Sequence, residues 1–140
     1  MSVGTLESRV YPMSEFAAAL LTQANIGIIS CIGNKLYRTE RIREKALHFD
    51  RKYRFNEDGA FFLEYVTDAE QLCFLNEPFY KYLIRTAGST MSSYRPRMFS
   101  TIINTRELIK EIYLKYDVWG NEQQVAYYRE TLGLMLNSLI

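Results

Sequence analysis

The sequence predicts an α+β fold: a few-stranded sheet with helices packed on it and a helical hairpin at the C-terminus. Three observations lead there. Two apolar stripes at helical spacing close the chain, Phe99, Ile102, Ile103, Ile109, Ile112, Tyr113 and Tyr116, then Val125, Tyr128, Leu132, Met135, Leu136 and Leu139. Upstream, "IGIISCIGNKLYR" and "QLCFLNEPFYKYLIR" carry the β-branched and aromatic content of strands. No βαβ series joins them, so the sheet is small and poorly stable alone.

Taken in order, the residues before Tyr11 read as a loose entry. "YPMSEFAAALLTQANIG" follows as a helix, with Ser14 as N-cap, Glu15 at the positive end, strong helix formers at 17–21, and Asn25 or Gly27 as the stop. "IGIISCIGNKLYR" is then a buried strand ending in a turn or bulge at Gly33-Asn34. Residues 39–46 have the composition of a short, charged surface helix. After "LHFDRKYRF", a polar loop with two aromatic anchors, Asn56 caps a helix running to about Asp68. Its apolar positions are Phe61, Phe62, Tyr65, Val66 and Ala69. "QLCFLNEPFYKYLIR" supplies one or two strands interrupted at Pro78, and "TAGSTMSSYRP" is a loop by its Gly, Ser, Thr and Pro content. Gly120 separates the last two helices, and Asn121 with Gln124 has the spacing of a capping box.

Bulk properties bound the function. With 140 residues, 48% apolar and 24% charged, the chain suffices for one ordinary core. Seventeen Lys and Arg against sixteen Asp and Glu leave a formal charge of +1, which offers no basic field for nucleic acid. Apolar runs are only a few residues long, so neither a signal peptide nor a spanning helix is expected, and the location is cytoplasmic. Cys31 and Cys73 lie far apart in apolar stretches and read as small core residues in a reducing compartment.

The inventory of reactive groups removes several chemistries. His48 is the only histidine, and "ALHFD" offers it no catalytic partner. One His and two separated Cys do not make a zinc site, and no G-x-G-x-x-G or G-x-x-x-x-G-K-[ST] cradle for phosphate occurs. What remains is "FNEDGAFF". Glu57 and Asp58 serve as the acidic first turn of a helix, where negative charge gains roughly 0.3 to 1 kcal/mol from the dipole. First-turn carboxylates at a loop-to-helix junction can also face a cleft, where one of them takes a proton from a substrate hydroxyl.

The order of motifs adds a resemblance. An N-K-L-Y segment is followed by a short helix, an aromatic-Asp loop, an E-D before an apolar helix, P-F-Y-x-Y, and R-x-x-G-S-T. Over roughly residues 11–94 this resembles the acceptor half of bacterial family-2 glycosyltransferases, which have the GT-A fold. The resemblance implies a partial GT-A fold, with residues 1–96 as an acceptor-side portion and 97–140 as a helical hairpin packed on it. It makes Asp58 the catalytic base of an inverting transfer from a nucleotide-sugar donor to a glycan or lipid-linked acceptor. Glu57, Asn34 and Lys35 would bind acceptor, although a solvated lysine at a strand end explains Lys35 equally. Arg85, Ser89 and Thr90 would contact the donor diphosphate from a closing loop, or form a plain surface loop. Tyr80 and Tyr82 read as packing residues.

The family's donor half ends in a D-x-D that holds Mn²⁺ or Mg²⁺, and no D-x-D occurs in these 140 residues. The chain therefore resembles the C-terminal half alone, with no cofactor of its own and the metal implied for the intact enzyme. The resemblance further implies an exposed apolar surface open to homodimerisation. Where the acceptor is lipid-linked it implies an intact enzyme peripheral at the inner membrane, a role that the helices of this segment, which lack a strongly basic amphipathic face, do not themselves support. The other reading is a catalytically silent, helix-rich interaction or dimerisation module.

Overall fold

The computed structural model describes residues 7–21, 29, 31–53, 56–77, 79–81 and 98–138. Its elements are β1 (Arg9–Pro12), α1 (Met13–Ala18), α2 (Thr39–Glu44), α3 (Glu57–Val66), β2 (Gln71–Phe74), α4 (Met98–Lys115) and α5 (Asn121–Asn137). The class is α+β, with helices packed around a two-stranded antiparallel sheet. No described helix is long and apolar enough to cross a membrane.

The chain enters as a strand, not a loose lead-in: β1 pairs with β2, Arg9 opposite Phe74 and Pro12 opposite Gln71. Alternation turns Tyr11 inward, and its ring meets Phe74 edge-on at 5.3 Å. Pro12 then holds the cap position of α1 with no side-chain cap, so Ser14 is an exposed helical residue and not the N-cap. The helix is also shorter than its composition predicts. The N–H groups of Ala19 and Leu20 bond three residues back, to Phe16 and Ala17, and this tightening closes it. Asn25 and Gly27 lie outside the described residues.

Residues 31–38 carry no regular structure, in place of the predicted strand. The Lys35 ammonium reaches back to donate to the Cys31 carbonyl, four residues earlier, a fold-back that an extended strand cannot make. Residues 33–34 do form a turn. α2 buries no residue, as its charge pattern predicts. From the residue after it, Lys45 reaches Asp68 at 2.8 Å, and Lys115 of α4 meets the same carboxylate. The hydrogen bonds from Lys115 and Lys45 hold the Asp68 carboxyl down at about 2.

The core joins α1, α3 and α4: Met13, Phe16, Ala17 and Leu20 meet Phe62, Leu63 and Val66, and then Ile109, Ile112 and Tyr113. Each fully buried side chain of this size contributes about 1.5–3 kcal/mol. α3 buries the predicted Phe61, Phe62 and Val66, with Tyr65 and Ala69 half-buried. α4 and α5 pack as the predicted hairpin. Gly120 itself is the N-cap of α5, and Gln124 donates to the Trp119 carbonyl at 3.3 Å, so no reciprocal capping box forms. Nor does the predicted stripe of α5 face inward. Tyr127, held edge-on to Trp119 at 5.3 Å, is its buried residue, whereas Val125, Tyr128, Leu132 and Leu136 are exposed. Phe99 and Ile103 of the α4 stripe are exposed as well. The cysteines are free and lie outside the core, Cys31 half-buried and Cys73 exposed.

Candidate functional site

The N-terminus of α3 is entered through an unusual residue. Asn56 adopts the left-handed conformation, φ 65° and ψ 32°, a region that Asn tolerates better than most L-residues. It occupies the cap position, as its sequence context predicts, but its side chain makes no capping hydrogen bond. That side chain instead lies against Gly59, where a Cβ would come within 2.5 Å of Oδ1. The backbone therefore turns sharply into the helix, and Glu57 and Asp58 leave it in different directions.

Asp58 is half-buried and faces residues 31–37. Its Oδ2 accepts a long hydrogen bond, 3.4 Å, from the Ile32 N–H. Lys35 sits in the same place: its ammonium donates to the Cys31 carbonyl and, at 2.8 Å, to Asn34 Oδ1, and lies 4.8 Å from the centre of the Phe62 ring. Burial pushes the Lys35 amine down to about 8, against the opposing pull of Cys31 and Asp58. Tyr37 belongs to this neighbourhood too. Its ring lies edge-on to Phe61 and Tyr65, its buried hydroxyl has no partner among the described residues, and burial holds it well above the ordinary phenol range. It is thus a donor at neutral pH.

Asn34, Lys35 and Asp58 are brought together; Glu57 is not one of their contacts. It is exposed, and with Phe49, Asp50, Arg51 and Tyr53 it lines a wide depression of about 410 Å³. Tyr80 lies over the turn at Gly33, so close that a Cβ there would meet its ring at 2.7 Å. Arg85, Ser89, Thr90 and Tyr82 lie outside the described residues.

Two residues beside the site were not singled out from sequence. Tyr37 entered only through the motif N-K-L-Y, and Phe49 only through the aromatic anchors and aromatic-Asp motif of its loop; the available signal was an aromatic next to a polar turn, which by itself does not say which face is open. Chemically, the arrangement around Asp58 offers a carboxylate able to accept a proton, with an ammonium close by to balance charge. Among the described residues no group of three or more His, Cys, Asp or Glu could hold a metal ion.

Comparison of the chain with protein-family models, with curated proteins and with solved structures finds no match.

Proposed function

We propose that this chain is the acceptor-side portion of an inverting glycosyltransferase of the GT-A type, with Asp58 as its base. In this reading the Asp58 carboxylate takes the proton of an acceptor hydroxyl as that oxygen attacks the anomeric carbon of a nucleotide-sugar, and the nucleoside diphosphate leaves in the same step. The donor and its Mn²⁺ or Mg²⁺ belong to a half with D-x-D chemistry that these residues do not supply. The acceptor is a glycan or a lipid-linked glycan.

The observation that carries the reading is the approach of Asp58, through its contact with the Ile32 N–H, to the loop that holds Asn34 and Lys35, the lysine standing 23 positions before it in sequence. A helix start that needed only acidic residues for its dipole would not require a partly buried lysine from a distant loop. Asp58→Asn, made in a protein carrying the donor half, tests it. Turnover should fall by at least about a hundredfold, the low end of what a positioned base contributes, with folding intact. Retained turnover removes Asp58 as base.

A second reading draws on a different observation, the exposed apolar residues of α5, Val125, Tyr128, Leu132 and Leu136. They suit a catalytically silent module that associates through this helix. A sedimentation series showing only monomer at every concentration removes the self-associating form of that alternative.

A further inference from the structure

We infer that the depression lined by Glu57 at the start of α3 is a pyranose-binding subsite in which the exposed face of Phe49 stacks on the apolar face of a sugar ring while Glu57 and Arg51 bind its hydroxyls. The inference rests on the glycosyl-transfer reading for its place in a reaction, but its evidence is separate.

Phe49 is 53% exposed although its ring belongs to a packed aromatic group. Its ring lies stacked on Phe61, centroids 4.8 Å apart and planes 19° from parallel, and Phe61 is buried. One face of Phe49 is thereby supported, and the other is turned away from its support. Phe61 in turn is wedged edge-on by Tyr37 at 5.5 Å. The platform is therefore held from behind by packed aromatics, which lowers the ordering cost of binding against it.

Polar groups around the platform are differently engaged. Asp50 already accepts from the Lys52 N–H at 2.9 Å and pairs with the Lys52 ammonium at 3.3 Å. The Glu57 and Arg51 side chains line the same depression and make no hydrogen bond or ion pair with a described residue. An open aromatic face flanked by an uncommitted carboxylate and an uncommitted guanidinium suits one ligand chemistry well. A pyranose has axial C–H groups on one face, which the electron-rich ring face attracts, and equatorial hydroxyls at its edge, which a carboxylate accepts from and a guanidinium donates to. A phosphate would be repelled by Glu57 and Asp50. A purely apolar ligand would leave Glu57 and Arg51 desolvated without partners.

Glu57 and Asp58 are consecutive at the start of α3 but leave it in different directions, so the depression is lined by Glu57 and not by Asp58, whose carboxylate faces the Ile32 N–H.

The test is saturation-transfer NMR of the chain with methyl β-D-glucopyranoside and cellobiose, with glucitol as the open-chain control bearing similar hydroxyls but no ring face. Transfer should be strongest to H1, H3 and H5 of the glycosides and weak to glucitol. Phe49→Leu, which keeps an apolar cover on Phe61 but has no flat face, should weaken binding about five- to tenfold, and Phe49→Trp should retain it. Equal transfer to glucitol, or unchanged binding in Phe49→Leu with its thermal unfolding unaltered, overturns the inference. Its failure is distinguishable from failure of the catalytic reading. Loss of turnover in Asp58→Asn with no stacking on Phe49 removes only the subsite; sugar stacking on Phe49 with turnover retained in Asp58→Asn removes only the base.

Discussion

Lys35 makes an electrostatic commitment that a surface lysine would not. Its ammonium is half-buried against Phe62, and desolvation dominates over the attraction of Cys31 and Asp58, so the amine titrates at about 8 in place of its ordinary 10.5. The sign follows directly. In that window the unfolded chain binds the proton and the folded chain has released it, so this group's contribution to stability rises with pH from about 8 to about 10.5. The expected outcome is a lysine Cε resonance, assigned by its loss in Lys35→Met, that shifts with a midpoint near 8. A midpoint in the ordinary lysine range would mean that the ammonium is solvated and not buried against Phe62. The residue was legible in sequence as a candidate, through N-K-L-Y, but its burial was not. That depends on Phe62, 27 positions away, and on a fold-back to the Cys31 carbonyl that β-branched neighbours disguise as a strand.

At the scale of the element, α3 shows how much of a helix a sequence exposes and where it stops. The apolar spacing of Phe61, Phe62 and Val66 located the helix and its buried face, because side chains four apart share a face whatever they pack on. The cap was read by residue type as a side-chain hydrogen bond, whereas Asn56 works through its backbone, in the left-handed region, with its amide laid on Gly59. A coupled prediction follows from that contact. Gly59→Ala adds helix propensity of about 1 kcal/mol, but its Cβ would meet Oδ1, Nδ2 and Cγ of Asn56 at 2.5, 2.6 and 2.8 Å. Alone, the substitution should therefore be neutral or destabilising. In an Asn56→Gly background, which removes the obstructing amide and suits the positive φ, it should recover most of that about 1 kcal/mol. A double-mutant cycle by chemical denaturation measures the coupling, and strict additivity would show that Asn56 does not rest on Gly59. The same limit explains α1 and the hairpin junction, where Ser14, Asn121 and Gln124 have capping chemistry but the chain enters each helix one or two residues earlier.

For the molecule as a whole, helix existence was legible and helix orientation was not. Both C-terminal helices were visible from periodicity, and α4 does turn Ile109, Ile112 and Tyr113 into the core with α1 and α3. In α5, apolar residues occupy more than one face, Tyr127 and Trp119 outcompete the stripe for the contact with α4, and Val125, Tyr128, Leu132 and Leu136 are left outside. Periodicity counts apolar positions; it does not weigh the large area that a Trp–Tyr pair buries. This asymmetry predicts two different responses to substitution. Ile112 is fully buried, so Ile112→Ala should cost about 2–5 kcal/mol through lost burial and the cavity left behind. Leu132→Gln with Leu136→Gln, on residues 58% and 62% exposed, should change the stability of the folded monomer by no more than about 0.5 kcal/mol per site. Urea denaturation across a range of protein concentrations separates the cases. If the α5 pair instead costs as much as Ile112→Ala at every concentration, those leucines belong to the core and the hairpin is rotated. If their cost grows with protein concentration, the wild-type helix is covered by a second copy, and the outer face of α5 is an interface.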